Sequence, residues 1–255
     1  MKIGICTTNP AMIKTAYESG LDFVEVSNWE LAKSDEAAFK NMLALKSTLP
    51  EGFFYACNGL VPPDLRLTGP DVDYEKIRDF SESSFAKLAK LGVKMLVFGS
   101  SKAKEVPEGF DFDEAMEQLV RVTQIFAQVA KKHGQWVCIE PLRTAECNII
   151  NYAEDAARLA EMTGCDNVGS HVDYYHLMQN GEKMSKLETL AKNIFHTHVA
   201  SPCKRTLPTP DDGADYGQFI DYLRKGGYDA TVSFEGGGEK TPESLKSFCD
   251  FMRSL

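Results

Sequence analysis

The chain has 255 residues, 43% hydrophobic and 25% charged, with 28 Lys and Arg against 37 Asp and Glu and a formal net charge of -9. That is the make-up of a folded globular protein long enough to bury a large core, and it excludes a disordered chain. The acidic balance repels phosphate backbones and anionic lipid, which argues against nucleic-acid and membrane-surface binding and favours a small-molecule partner.

In chain order, short runs rich in β-branched and aromatic residues alternate with longer amphipathic segments. Strands are expected at KIGICTT (2–8), DFVEVS (22–27), FFYAC (53–57), KMLVFGS (94–100), WVCIEPL (136–142), VGSHVDY (168–174), IFHTHVA (194–200) and TVSFEG (231–236). Between strands four and five, Met116, Leu119, Val122, Phe126 and Val129 fall three or four apart, the spacing of one apolar helix face, over Asp113 to His133. Gly20, Gly92, Gly134, Gly164 and Gly227 each stand between a helical pattern and a strand, where a left-handed residue ends a helix. Thr241, Pro242 and Glu243 form the cap and first turn of a last helix ending near Arg253.

About eight βα units of this length predict a (β/α)8 TIM barrel, taken as one domain over residues 1–255. A doubly wound open sheet shares the alternation and ranks second. Its dinucleotide-binding form wants a GxGxxG turn after the first strand, where this chain has CTTNPAM. The cysteines at 6, 57, 138, 147, 165, 203 and 249 are odd in number and contain no CxxC pair, as expected of free thiols in a reducing compartment. The first residues, MKIGICTTNP, lack the apolar run of a signal peptide, and no later segment approaches the roughly 20 apolar residues of a membrane span. The expectation is a cytoplasmic location.

A TIM barrel gathers chemistry at the C-terminal ends of its strands. Strand five ends with Glu140, strand six with Asp173, strand seven with His196 and His198, and strand eight with Glu235. Four successive strands thus bring potential metal ligands to one rim, each inside an apolar run where an unpaired carboxylate is costly. Taken singly, any of them reads as a strand-end carboxylate satisfied by a backbone amide. His196 and His198 share a parity and so face the same way at different depths, whereas His133 reads as a helix C-terminal residue favoured by the dipole. Glu25 and Trp29, at the end of strand two, read as a ligand-orienting carboxylate and a stacking or core indole, while Cys6 and Asn58 at most line the pocket. The EGGGEK run after strand eight either holds a phosphate or simply clears the mouth.

At these residues the chain resembles the xylose isomerase-like TIM barrels of sugar isomerases and epimerases, whose wider superfamily includes endonuclease IV. It is most similar to the ketose 3-epimerase branch. The resemblance rests on EPLRTAE, with Glu140 and Glu146 six apart; on DxxH, with Asp173 and His176; on HxH, with His196 and His198; and on Glu235 of the last strand. It implies one divalent metal held by Glu140, Asp173, His198 and Glu235, with Glu146 and His176 on the substrate. The branch carries an arginine six residues after the metal histidine; here that position is Lys204, with Arg205 beside it, and a lysine does not reproduce a bidentate guanidinium grip. Both are taken as substrate-binding candidates.

Three carboxylates and one imidazole suit Mn²⁺ first, with Mg²⁺, Co²⁺ or Zn²⁺ as alternatives. The expected activity is sugar isomerisation or epimerisation through a metal-stabilised enediolate, with Glu140 and Glu235 as the acid–base pair. A lyase or dehydratase acting on a sugar-like polyol or keto-sugar at the same site is the nearest rival. An endonuclease IV-type phosphodiesterase and a non-catalytic barrel follow. The expected partner is a small sugar-like molecule, with no nucleic acid or membrane and with self-association into a homo-oligomer left open.

Overall fold

A computed structural model describes residues 1–255. Eight strands form a closed parallel barrel in chain order: β1 (Lys2–Cys6), β2 (Phe23–Ser27), β3 (Phe54–Asn58), β4 (Met95–Phe98), β5 (Trp136–Ile139), β6 (Val168–Asp173), β7 (Ile194–Val199) and β8 (Thr231–Phe234). β8 closes on β1, with Ile5 opposite Phe234. This is the expected (β/α)8 TIM barrel. No helix is long and apolar enough to cross a membrane.

The helix expected over Asp113–His133 spans Phe112–Lys132. It starts one residue earlier because Asp111 caps it, its carboxylate accepting from the Glu114 N–H at 2.9 Å. The last helix runs Pro242–Ser254, with Thr241 as its cap. All five helix-ending glycines have positive φ, and Gly92 (φ 97°) and Gly164 (φ 64°) are themselves the caps. Extra short helices depart from a bare alternation, at Ser101–Lys104 after β4 and in several turns between β6 and β7, and the stretch from β2 to the helix after β3 departs furthest. Two helices, Asn28–Lys33 and Glu36–Lys46, fill the connection from β2 to β3, and irregular chain covers 59–73 before the next helix, Tyr74–Leu91.

Strand sides follow the period of two, so apolar residues on the outer faces pack against the helices in one large core. The inner faces differ with position around the barrel. Ala56, Met95, Val97 and Cys138, on β3 to β5, make a small separate apolar cluster. By contrast, Glu25, His171, His196 and Ser233, on β2 and β6 to β8, are polar and wholly buried. Register places the rim. Asp173 of β6 lies opposite His198 of β7, and His198 opposite Ser233 of β8, two residues before Glu235.

Candidate metal centre at the barrel mouth

Glu140 follows β5, and its N–H donates to the Phe98 carbonyl at 3.1 Å, which carries the β4–β5 ladder one residue past the strand end. Glu235 is held likewise, its N–H on the Val199 carbonyl at 3.3 Å. Gly99 makes room for the first side chain: a Cβ there would lie 2.1 Å from Glu140 Oε2. Asp173 ends β6 and caps the helix Tyr174–Gln179, Oδ1 accepting from the Tyr175 N–H at 2.7 Å. That bond turns Oδ2 away from the helix, toward the mouth.

These backbones bring four side chains together. His198 Nδ1 is 3.4 Å from Glu140 Oε1 and 3.8 Å from Glu235 Oε2. Glu140, Asp173, His176 and Glu235 each offer a donor atom within 4.8 Å of the others. Glu140 Oε1, Asp173 Oδ2 and His198 Nδ1 are all buried and none has a hydrogen-bond partner. Buried polar atoms are almost always paired, and leaving three orphaned in this region costs on the order of 1–3 kcal/mol each. A divalent cation takes carboxylate and imidazole donors of this kind, so the chemistry of the donor set fits such an ion. The fourth carboxylate is already supported: Glu235 Oε1 accepts from Asn58 Nδ2 at 2.8 Å and Oε2 from the Arg205 guanidinium at 2.6 Å.

Electrostatics point the same way. Burial raises the Asp173 carboxyl to about 7, opposed by His198 and reinforced by Glu140 and Glu235. Burial also raises Glu140, again against the His198 ring and with Glu235 adding to the shift. For Asp173 and Glu140, burial outweighs the nearby His198 and Arg205 and favours the protonated form.

Beneath the rim, Glu25 of β2 reaches across the barrel to β7. Its carboxylate lies 2.9 Å from His196 Nε2 and 3.0 Å from His198 Nε2, and accepts from Ser233 Oγ at 2.8 Å. Burial opposes its charge, but His198 and His196 overcome that and hold the carboxyl well below its usual range. His198 is raised well above its ordinary value: burial works against the imidazolium, and Glu25, with Cys6 and Glu235 behind it, prevails. His196 Nδ1 meets Thr231 Oγ1 at 2.7 Å. His171 is wholly buried beside both rings with neither of its nitrogens paired, and burial pushes it well below its ordinary value.

The outer wall of the mouth holds Glu146, His176 and Arg205. Glu146 accepts from Arg143 Nε at 2.6 Å and lies 3.4 Å from an Arg205 nitrogen. The Arg205 guanidinium sits over the Tyr175 ring at 4.7 Å. His176 takes the Arg143 backbone N–H on Nδ1 at 3.3 Å; burial first, then the charge of Arg205, pushes it down to about 2, so the ring is neutral. Lys204 is exposed, and the guanidinium that enters the mouth is that of Arg205.

Several side chains take places that the sequence pattern left undefined. Lys104 is fully buried and donates to the Glu140 carbonyl oxygen at 2.9 Å; its only signal was its position in the loop after strand four. Trp29 stays half-buried, with Lys33 over its ring at 4.0 Å. Lys240 folds back on its own loop, donating to the Gly236 carbonyl at 2.9 Å.

Comparison with known proteins agrees with this architecture. The family model described as xylose isomerase-like TIM barrel matches residues 13–255. An L-ribulose 3-epimerase of Mesorhizobium japonicum is 25% identical over 163 residues, which cover 63% of this chain and 53% of that protein. A ketose 3-epimerase of Arthrobacter globiformis is 27% identical over 110 residues, covering 43% of this chain and 37% of the relative. The aligned stretches thus span about half or less of these relatives. Among solved structures, D-psicose 3-epimerase from Clostridium cellulolyticum H10, solved with D-tagatose, superposes with a TM-score of 0.81. It is 19% identical, covering 97% of this chain and 90% of that one, which is a likeness of fold.

Proposed function

Because this chain belongs to the xylose isomerase-like TIM barrel family, we propose that it is a divalent-metal-dependent sugar isomerase or epimerase acting on a ketose-like substrate. The observation that carries the reading is the cluster at the mouth: Glu140, Asp173, His176 and Glu235 offer donor atoms within 4.8 Å of one another, His198 Nδ1 lies 3.4 Å from Glu140 Oε1, and Glu140 Oε1, Asp173 Oδ2 and His198 Nδ1 are buried without hydrogen-bond partners. The printed activities of the two curated relatives, both 3-epimerases, support the same class.

In this reading Glu140, Asp173, His198 and Glu235 hold the ion, Mn²⁺ first and Mg²⁺, Co²⁺ or Zn²⁺ as alternatives. The cation, when bound, polarises a substrate carbonyl and acidifies the neighbouring C–H. Proton transfer falls to Glu140 and Glu235. They come from β5 and β8, separated around the barrel by β6 and β7, and so approach a sugar in the mouth from different sides. One carboxylate takes the proton from carbon, and the other, as the acid, returns one to the opposite face, which inverts the centre. If a single carboxylate carries the proton to the adjacent carbon, the product is the aldose–ketose isomer. Asn58 and Arg205 fix Glu235 for this work, and Glu146, His176 and Arg205 supply the polar wall that grips substrate hydroxyls.

Elimination at the same site is the rival outcome. A phosphodiesterase with a histidine-rich metal cluster finds less support, because His196 is already committed to Glu25, Ser233 and Thr231. The test is a panel of free and phosphorylated sugars incubated with Mn²⁺-loaded protein in D₂O. Deuterium entering a carbon next to a carbonyl is the expected result. A deoxy or unsaturated carbonyl product turns the reading to elimination, and no exchange across the panel with folded, metal-loaded protein removes it.

A further inference from the structure

His198 touches two sites at once. Nδ1 lies 3.4 Å from Glu140 Oε1 and 3.8 Å from Glu235 Oε2 at the mouth, while Nε2 lies 3.0 and 3.1 Å from the two oxygens of Glu25 in the layer below. An ionised carboxylate only accepts hydrogen bonds, so the short contact places a proton on Nε2. Glu25 Oε2 also takes the Ser233 hydroxyl and His196 Nε2. With its own proton directed at Glu25, His196 presents a bare Nδ1 to Thr231 Oγ1 at 2.7 Å. The groups that meet Glu25 at hydrogen-bond distance, Ser233, His196 and His198, are therefore all donors, and the one other hydrogen-bonding contact of His198 Nε2 is the longer one to the Cys6 thiol at 4.0 Å.

We propose that Glu25 is a positioning residue for the metal centre: by holding the proton on Nε2 of His198, it leaves Nδ1 as the nitrogen that faces Glu140 and Glu235. The inference rests on the metal reading above and adds to it the residue that sets cation affinity without touching the cation. A glutamine at this position has the same length but brings an NH₂ group. Facing two imidazole N–H groups, that NH₂ drives one ring to the other tautomer, and in His198 this puts the proton where the ligand lone pair is needed. Loss of such an outer partner typically weakens metal binding by about 10–100-fold.

The test compares wild type and Glu25→Gln by calorimetric competition with Zn²⁺ alone, alongside the thermal midpoint of each metal-free protein. A Zn²⁺ Kd weakened about 10–100-fold in a variant that stays folded is expected. A lowered midpoint with an unchanged Kd assigns Glu25 a purely structural role and overturns the proposal. Histidine ¹⁵N correlation spectra of the wild type provide a second readout that needs no variant. His198 in the Zn²⁺-loaded protein is expected to carry its proton on Nε2, and a proton on Nδ1 overturns the proposal even if Glu25→Gln does not fold. Wild type that binds neither Zn²⁺ nor Mn²⁺ contradicts the metal reading instead. The Nε2 proton in the metal-free protein then still decides the Glu25 bond, and its absence overturns the proposal.

Discussion

Glu140 and Glu235 carry the same chemical group in unlike surroundings, yet the proposed proton transfer asks the same of both. One Glu140 oxygen is buried without a partner, whereas both Glu235 oxygens accept hydrogen bonds. Glu140→Gln and Glu235→Gln are each expected to lower turnover by roughly 10²–10⁴-fold, the usual weight of a lost acid or base. Circular dichroism should show both variants folded; near-normal turnover in either removes that residue from the proposed proton transfer. Asp173 gives the pH dependence. Its folded value of about 7 lies above the ordinary 3.8, so between the two the folded chain holds a proton that the unfolded chain has released. This contribution is complete below about 4 and is lost as the pH rises through about 7. Thermal midpoints of chelator-treated protein should therefore fall across that window, with Asp173→Asn flattening the slope; a wild-type slope in Asp173→Asn contradicts the assignment. At this scale much of the candidate site is legible in the sequence, because Glu140, Asp173, His198 and Glu235 stand at or just past the ends of apolar strands. Arg205 is not distinguishable from Lys204 in that way. Which of two adjacent cations enters a mouth depends on the path of the loop, and Arg205 takes a left-handed φ of 52° that no residue pattern announces.

Strand ends and the glycines that follow them set the geometry of the mouth. A Cβ on Gly99, just beyond β4, would fall 2.1 Å from Glu140 Oε2, and one on Gly236, beyond β8, would fall 2.2 Å from the Arg205 carbonyl oxygen. Gly99→Ala must therefore push the Glu140 carboxylate aside. The overpacking is expected to cost about 1–3 kcal/mol of stability and to weaken Mn²⁺ binding along with it. Unchanged Mn²⁺ affinity in folded Gly99→Ala would show that Glu140 does not need this position. The elements themselves are readable from periodicity, since β-branched runs and glycine helix ends recur throughout the chain. The paired helices between β2 and β3 and the irregular segment 59–73 are not, because short segments carry too few apolar positions to define a face. The part played by Gly99 is hidden for another reason: it depends on a side chain more than forty residues away, brought alongside only when β5 pairs with β4.

Closure of the barrel lets residues from β2, β5, β6, β7 and β8 meet at one axis, and the polar inner layer on one side of that axis is where the fold departs from an apolar barrel core. Concentrating three carboxylates at the rim works against the metal-free chain, so the proposed cation binding would be coupled to folding. Saturating ion is expected to stabilise the protein by about 2.7 kcal/mol at a free concentration of 100 times Kd, read as a rise in thermal midpoint that a chelator reverses. The regular alternation of strand and helix patterns made the architecture visible in advance. The Glu25 network was not, because it joins β2 to β7 across the interior, and strands that are not ladder neighbours leave no spacing rule in the chain. The most direct test is a calorimetric titration of Mn²⁺ into chelator-stripped wild type and into Asp173→Asn. Saturable uptake of one ion per chain that is lost or strongly weakened in Asp173→Asn is the predicted result; no saturable uptake by the wild type, or equal uptake by both, contradicts the account.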